Sequence, residues 1–278
     1  MLLAALFLPL LNASVAALSD RYPVVELLWV RYAGHLAFML AVFAPRRGTA
    51  LLRSTRPLLQ AARSGLFCIS TFGMFTALAY VPLATAVAIN FTSPLMVTAL
   101  APFLLAERVG LARAVAVGAG FLGAVIVVQP GSGLHHPAAY LLLASAAASA
   151  LTQVLSRKVA GHDSPETSNT YMVLIGFALS SLPLPWLWQS PANLADLALF
   201  GLLGLLGGLG HYCLVRAFEL APAPFVSPFN YLQILGAALL GLVLFGQVPD
   251  LGTWIGSAVI TVSGLAILAH ERWRGRGR

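Results

Sequence analysis

Charge is what this chain has least of. Charged residues make up 9% of its 278 positions and hydrophobic residues 59%, against roughly 25% and 45–50% in a soluble domain. No soluble fold of this length has interior enough to hide that much apolar surface, so the composition excludes a soluble protein. Cysteine is nearly missing too: Cys68 and Cys213 both lie inside apolar runs. That excludes a disulfide framework, and no ligand spacing for a metal exists. There is no His-Glu-x-x-His, no Gly-x-Ser-x-Gly and no phosphate-cradling loop. The longest polar connection, 45–57, is too short to be a nucleotide-binding domain. These absences argue against an enzyme, a nucleotide-driven pump and any cofactor. The apolar runs do not alternate with polar residues as barrel strands do, which leaves helices as the way across a bilayer.

What is there is length of apolar run. A crossing helix needs about 20 mostly apolar residues, and ten runs qualify: 2–18, 23–44, 58–80, 84–105, 111–128, 137–159, 165–188, 196–219, 222–245 and 251–269. The expected fold is an all-α polytopic membrane protein of ten transmembrane helices. Run 2–18 lacks the basic start of a cleaved leader, although Ala13-Ser14-Val15-Ala16 is small. Ser164-Pro165-Glu166 is a helix start, with Ser to cap, Pro for the first turn and Glu at the positive end of the dipole. Arg46, Arg47, Arg53, Arg56, Arg108, Arg113, Arg157, Lys158, Arg216 and the tail arginines 272, 274, 276 and 278 fall on one side if there are ten helices; Arg21 falls on the other. Positive residues stay in the cytoplasm. Both termini are therefore expected there, in a bacterial inner membrane. The net charge of +7 reads as topology, not as a sign of a nucleic-acid partner.

Residues 77–108 and 217–248 are faint copies at a constant spacing of 140. Pro82 matches Pro222, Asn90 matches Asn230, and Leu100 and Leu104 match Leu240 and Leu244. Arg108 and Arg113 follow the first copy, where Val248 and Thr253 stand in the second. A repeat whose charge has moved to the other end implies two five-helix halves, 1–130 and 131–278, inserted in opposite senses. Such inverted repeats build transporters.

Phe91-Thr92-Ser93-Pro94-Leu95, then Thr98-Ala99-Leu100, then Leu104-Leu105-Ala106-Glu107-Arg108, followed by a helix with Gly120 and Gly123, resembles the signature of the EamA-type drug/metabolite transporters. Arg31 also matches a position where that family often has Arg. The resemblance implies ten helices in two inverted halves and a small-molecule substrate. It points to the branch that exports aromatic and other neutral amino acids. The expected partners are that substrate and the lipid bilayer, and the sequence leaves open whether the chain works as a monomer. The second half departs from the pattern: Gln247 replaces the Glu, Ile234 the Pro, and Val173 stands opposite Arg31.

Arg31 is the side chain that most needs explaining. It should lie about 12 Å into a core about 30 Å thick, where a charge costs roughly 2.5–3.5 kcal/mol. It either binds a substrate carboxylate or bridges helices. His35, one turn on, shares its face. Glu26 is expected at the outer rim or as a gate. Asn90 and Ser93 flank a turn that Pro94 breaks by removing a backbone donor. Asn230, Tyr231 and Gln233 are their counterparts beside Pro228. Tyr80, Trp29 and His211 complete the expected substrate contacts, with Glu26, His35, Pro94 and Pro228 as gating or coupling residues. The bland alternative is that these polar residues merely hold helices together. Rival functions are efflux of cations or sugar derivatives and a non-transporting scaffold.

Overall fold

The computed structural model describes residues 1–104, 110–129, 136–220 and 226–275. Pro222, Pro224, residues 105–108 of the family-like motif and the boundary expected at 130/131 lie outside them. The described residues are helical throughout, with no strand. In chain order the helices are α1 (Leu2–Leu18), α2 (Val24–Arg47), α3 (Pro57–Leu78), α4 (Leu83–Asn90), α5 (Ser93–Leu104), α6 (Leu111–Val128), α7 (Ala138–Val159), α8 (Pro165–Ser181), α9 (Leu184–Leu187), α10 (Leu194–Leu220), α11 (Leu232–Phe245) and α12 (Leu251–Gly275). Short 3₁₀ turns cover Gly48–Leu52 and Ser227–Tyr231.

Local chemistry sets the ends. The Ser164 hydroxyl accepts the Thr167 N–H at 3.2 Å, and Pro165 opens α8. Asn193 accepts the Asp196 N–H at the start of α10, and Asp250 the Thr253 N–H at the start of α12, each at 2.8 Å. Gly246 closes α11 at φ 65°, a conformation that glycine adopts without strain, and the Gln247 N–H then returns to the Gly241 carbonyl.

Among the described residues, eight helical stretches are long and apolar enough to cross a bilayer, and α1 is a shorter apolar helix. Two expected spans are interrupted. The run 84–105 is divided into α4 and α5 at Phe91-Thr92, and 165–188 into α8 and α9 at Leu182-Pro183. In both, a proline lacks the N–H that would continue the ladder. The run 222–245 begins, in its described part, as a 3₁₀ turn. Large apolar side chains face outward, Leu58 at 86% and Phe103 at 83% exposure among them. A monomeric soluble protein would not carry so wide an apolar exterior; acyl chains cover it here.

The packing repeats when the halves are exchanged. α3 on α7 answers α10 on α1, α2 on α10 answers α8 on α3, and α1 on α11 answers α7 on α4 and α5; α2 on α8, α4 on α11 and α6 on α12 answer themselves. Glycines allow the closest crossings. A Cβ on Gly34 or Gly204 would run into the other's backbone where α2 meets α10, and Gly123 and Gly256 meet where α6 crosses α12.

The two ends of the bundle are tied separately. At one, Arg21 pairs with Asp196 at 2.6 Å, the Tyr22 hydroxyl donates to Asp196 at 2.8 Å, and the Ala192 N–H donates to the Tyr22 oxygen at 2.8 Å. At the other, Asp163 accepts from the Ser54 hydroxyl, the Thr55 N–H and hydroxyl, and the Gln60 amide at 2.5–2.9 Å. Arg46, Arg47, Arg53, Arg56, Arg157 and Lys158 gather at this second end, and Arg21 lies at the first.

Candidate functional site

Among the described residues, two polar clusters inside the bundle gather the expected site residues. The first is built on α2, α3 and α10. Arg31 and His35 stand one turn apart on α2 and face Phe67, Thr71 and Phe75, which share one stripe of α3. Arg31 Nη1 donates to Thr71 Oγ1 at 3.2 Å, and its guanidinium carbon sits 5.3, 5.1 and 5.6 Å from the Tyr32, Phe67 and Phe75 ring centroids. Among the described residues no carboxylate pairs with it. Three aromatic faces do the work of a counter-ion, each worth about 0.5–2 kcal/mol. The His35 and His211 rings lie 5.6 Å apart, and His211 stands edge-on to Phe67 at 5.5 Å. Gly207 leaves room for the Arg31 stem.

The first cluster is only partly satisfied. Among the described residues, Arg31 Nε and both His35 nitrogens are buried without a hydrogen-bond partner. Leaving such a group unmet costs about 1–3 kcal/mol, so the arrangement is suited to a ligand or water that supplies acceptors and donors.

The second cluster surrounds the break in α4/α5. With no N–H on Pro94, the chain turns at Phe91-Thr92, where the Thr92 N–H and hydroxyl both reach the Ile89 carbonyl. Asn90 Oδ1 is buried and unpartnered. Ser93 accepts from Gln153 on α7 at 2.7 Å. Across the bundle, the Asn230 amide oxygen accepts from Gln233, and the Tyr231 ring lies 5.2 Å from Phe91 with its hydroxyl against Gly264. Pro228 sits in the 3₁₀ turn that precedes α11. α1 lies between the two clusters, packed on α10 and on α11.

The structure thus brings Arg31, His35 and His211 together, and sets Phe91, which lies between Asn90 and Ser93 in the chain, against Tyr231, with Asn230 and Gln233 close to Tyr231 in sequence. It places the other expected residues elsewhere. Glu26 is fully buried, which corrects the solvated-rim reading: the connection 188–193 folds over it, and its carboxylate accepts the Gln189 N–H at 3.1 Å. Trp29 donates to Ser181 at 2.9 Å and packs on Phe177 and Trp188. Tyr80 is 58% exposed and stacks on His136 at 4.4 Å, outside both clusters. Sequence reasoning missed Tyr32, Phe67 and Thr71. The spacing of 67, 71 and 75 was the available signal, since it puts three residues on one helix face.

A crevice of about 40 Å³ lies one turn below His35 at the arginine-rich end, lined by Met39, Asn169 and Tyr212 among others. A larger cavity of about 290 Å³ opens at the opposite end.

The family profile described as the EamA-like transporter family matches residues 1–129 and 136–269. A riboflavin transporter of Rhizobium johnstonii is 32% identical over 279 residues, covering 99% of this chain and 92% of that one. An S-adenosylmethionine uptake transporter of Rickettsia prowazekii is 27% identical, over 85% of this chain and 80% of that one. A solved crystal structure, 22% identical, aligns with a TM-score of 0.64 over 97% of this chain and 96% of its own, which shows a shared fold. The names of these relatives point to riboflavin and S-adenosylmethionine, not to the amino-acid exporters expected from the motif alone.

Proposed function

The chain belongs to the EamA-like transporter family, and from that premise we propose that it carries a neutral heterocyclic metabolite of the riboflavin kind across a bacterial inner membrane by alternating access. It is a multi-pass transporter of small metabolites. Ten crossings in two inverted halves, 1–130 and 131–278, with both termini in the cytoplasm, complete the reading. The gathering of arginines at one end supports that orientation.

The observation that carries the substrate reading is the near full-length match to a riboflavin transporter. The second cluster suits it chemically. Riboflavin has a flat tricyclic ring with an imide edge and a polyhydroxyl chain. Phe91 and Tyr231 offer ring faces, while Asn90, Ser93 and Gln233 offer amide and hydroxyl groups. Aromatic contacts of this type contribute about 0.5–1.5 kcal/mol each, and carriers need modest affinity so that cargo is released.

Arg31 favours a second reading, export of neutral and aromatic amino acids. Its Nε has no partner, and a carboxylate would supply one. Purified protein in liposomes decides between the two. The expected result is saturable riboflavin flux with none for phenylalanine or threonine. Amino-acid flux without riboflavin flux would reverse the order, and inactivity with both would remove both.

A further inference from the structure

Beyond the two inner clusters, the larger cavity has the features of a binding site. It lies at the end opposite the arginines, where the connections 79–82 and 246–250 meet His136. Tyr80, Pro82, Thr85, His136, Pro249 and Asp250 line it. Resting on the riboflavin-like reading above, we propose that this cavity is an external vestibule that captures the planar heteroaromatic ring of the substrate before it reaches the centre.

Four observations carry this. The volume of about 290 Å³ is near the lower bound of ligand pockets, about 300 Å³. It suits a ring system without its chain. The Tyr80 and His136 rings are nearly parallel, 11° apart at 4.4 Å, so a flat platform already stands at the mouth. Pro82 and Pro249 give the facing walls flat apolar surface with no N–H to leave unmet. One side is polar and ordered: Thr85 in the lining shares a buried hydrogen bond at 3.1 Å with Thr253.

Thr85 lies on α4, the same helix that ends at Asn90, so the cavity and the break between α4 and α5 are joined by one short rigid element.

Tyr80 is exposed enough to change without unfolding the bundle. Val248 lines the same cavity, is 76% exposed, and its replacement leaves the ring pair intact: Val248→Cys should react with a membrane-impermeant maleimide added from that face, above the background that Cys68 and Cys213 give in the unmodified protein. Saturating lumichrome, the bare tricyclic ring, should slow the labelling at least several-fold, while ribitol, the chain alone, should not. No slowing by lumichrome, or equal slowing by ribitol, overturns the vestibule. Tyr80→Ala should raise the half-saturation for influx from this face by roughly threefold to tenfold, more than for flux from the other face, with Tyr80→Trp restoring it. An equal change in both directions also overturns it. If the unmodified protein moves no riboflavin, the proposed function fails, yet lumichrome protection still decides the vestibule.

Discussion

Arg31 keeps a charge in the membrane among three aromatic rings and no carboxylate of the described residues, and its surroundings say which substitutions will separate folding from function. Lysine is a point charge that lacks the flat fork of arginine. It cannot both lie among the three rings and reach Thr71. Arg31→Lys should therefore lower both the melting temperature and riboflavin flux. Arg31→Leu fills the same space with no charge to desolvate, and such exchanges are often neutral or stabilising. It should hold the melting temperature while flux falls at least tenfold, as measured in proteoliposomes. Asp163 behaves differently. Burial alone would raise its carboxyl, but the hydrogen bonds from Ser54, Thr55 and Gln60 outweigh that and hold it well below the usual carboxylate range. A depressed folded value makes the tie fully effective above the unfolded value of about 3.9 and lost as pH falls further. Asp163→Asn should thus lower thermal stability from pH 5 to 8, and the gap to the unmodified protein should close below about pH 4. Of these residues, the sequence marked Arg31 and His35 through depth and helical spacing. It held no local sign that Thr71 and Phe67, on the next helix, would be the partners. Glu26 was legible as lying toward one end, but its burial depends on a connection far along the chain, 188–193.

The interrupted helices are the elements whose behaviour matters most. The repeat spacing of 140 residues pairs the break at Phe91-Thr92 with the junction at Tyr231-Leu232, and an α-helix begins just after each, at Ser93 and at Leu232. This was readable from Pro94, Pro228 and the two asparagines, because proline removes a ladder bond whatever surrounds it. The way each break resolves was not readable: a two-residue turn in one case, a 3₁₀ stretch in the other, set by what α7, α1 and α12 press against them. Pro94→Ala restores a donor to the Asn90 carbonyl and favours one continuous helix. It should raise the melting temperature while slowing flux, because the polar groups of the turn would return to the helix ladder. A variant that gains stability and keeps its full transport rate would show that the break is not needed.

At the scale of the whole molecule the helices divide into two groups. α1, α2, α3, α7, α8 and α10 interlock and are tied at both ends, through Asp196 and through Asp163. α6 and α12 pack on each other and on the α4/α5 and α11 side, and they meet the first group through α1 on α11 and α7 on α4 and α5. With both ties closed at once, motion that opens one face is expected between the groups. A short thiol cross-linker between Ser93→Cys and Gln153→Cys, which joins α5 to α7, should stop flux, and reductive cleavage should restore it. Orientation is checked in the same background: Ser54→Cys should label only from the cytoplasm and Asn193→Cys only from outside. The all-helical membrane class was legible because apolar length answers to the bilayer itself. The division into two groups was not, since it arises from which helices touch.

The Gly34–Gly204 crossing sets a limit on how chains related to this one can diverge. Where Tyr32 lies over Gly176, a larger residue at 176 can be answered by a smaller one at 32, and the pair can drift together. At 34 and 204 both positions already hold the smallest residue there is. No change at one can be absorbed by the other, so any replacement must push α2 away from α10, and with it Arg31 away from Gly207. That single contact ties the history of two helices to the geometry of the first cluster.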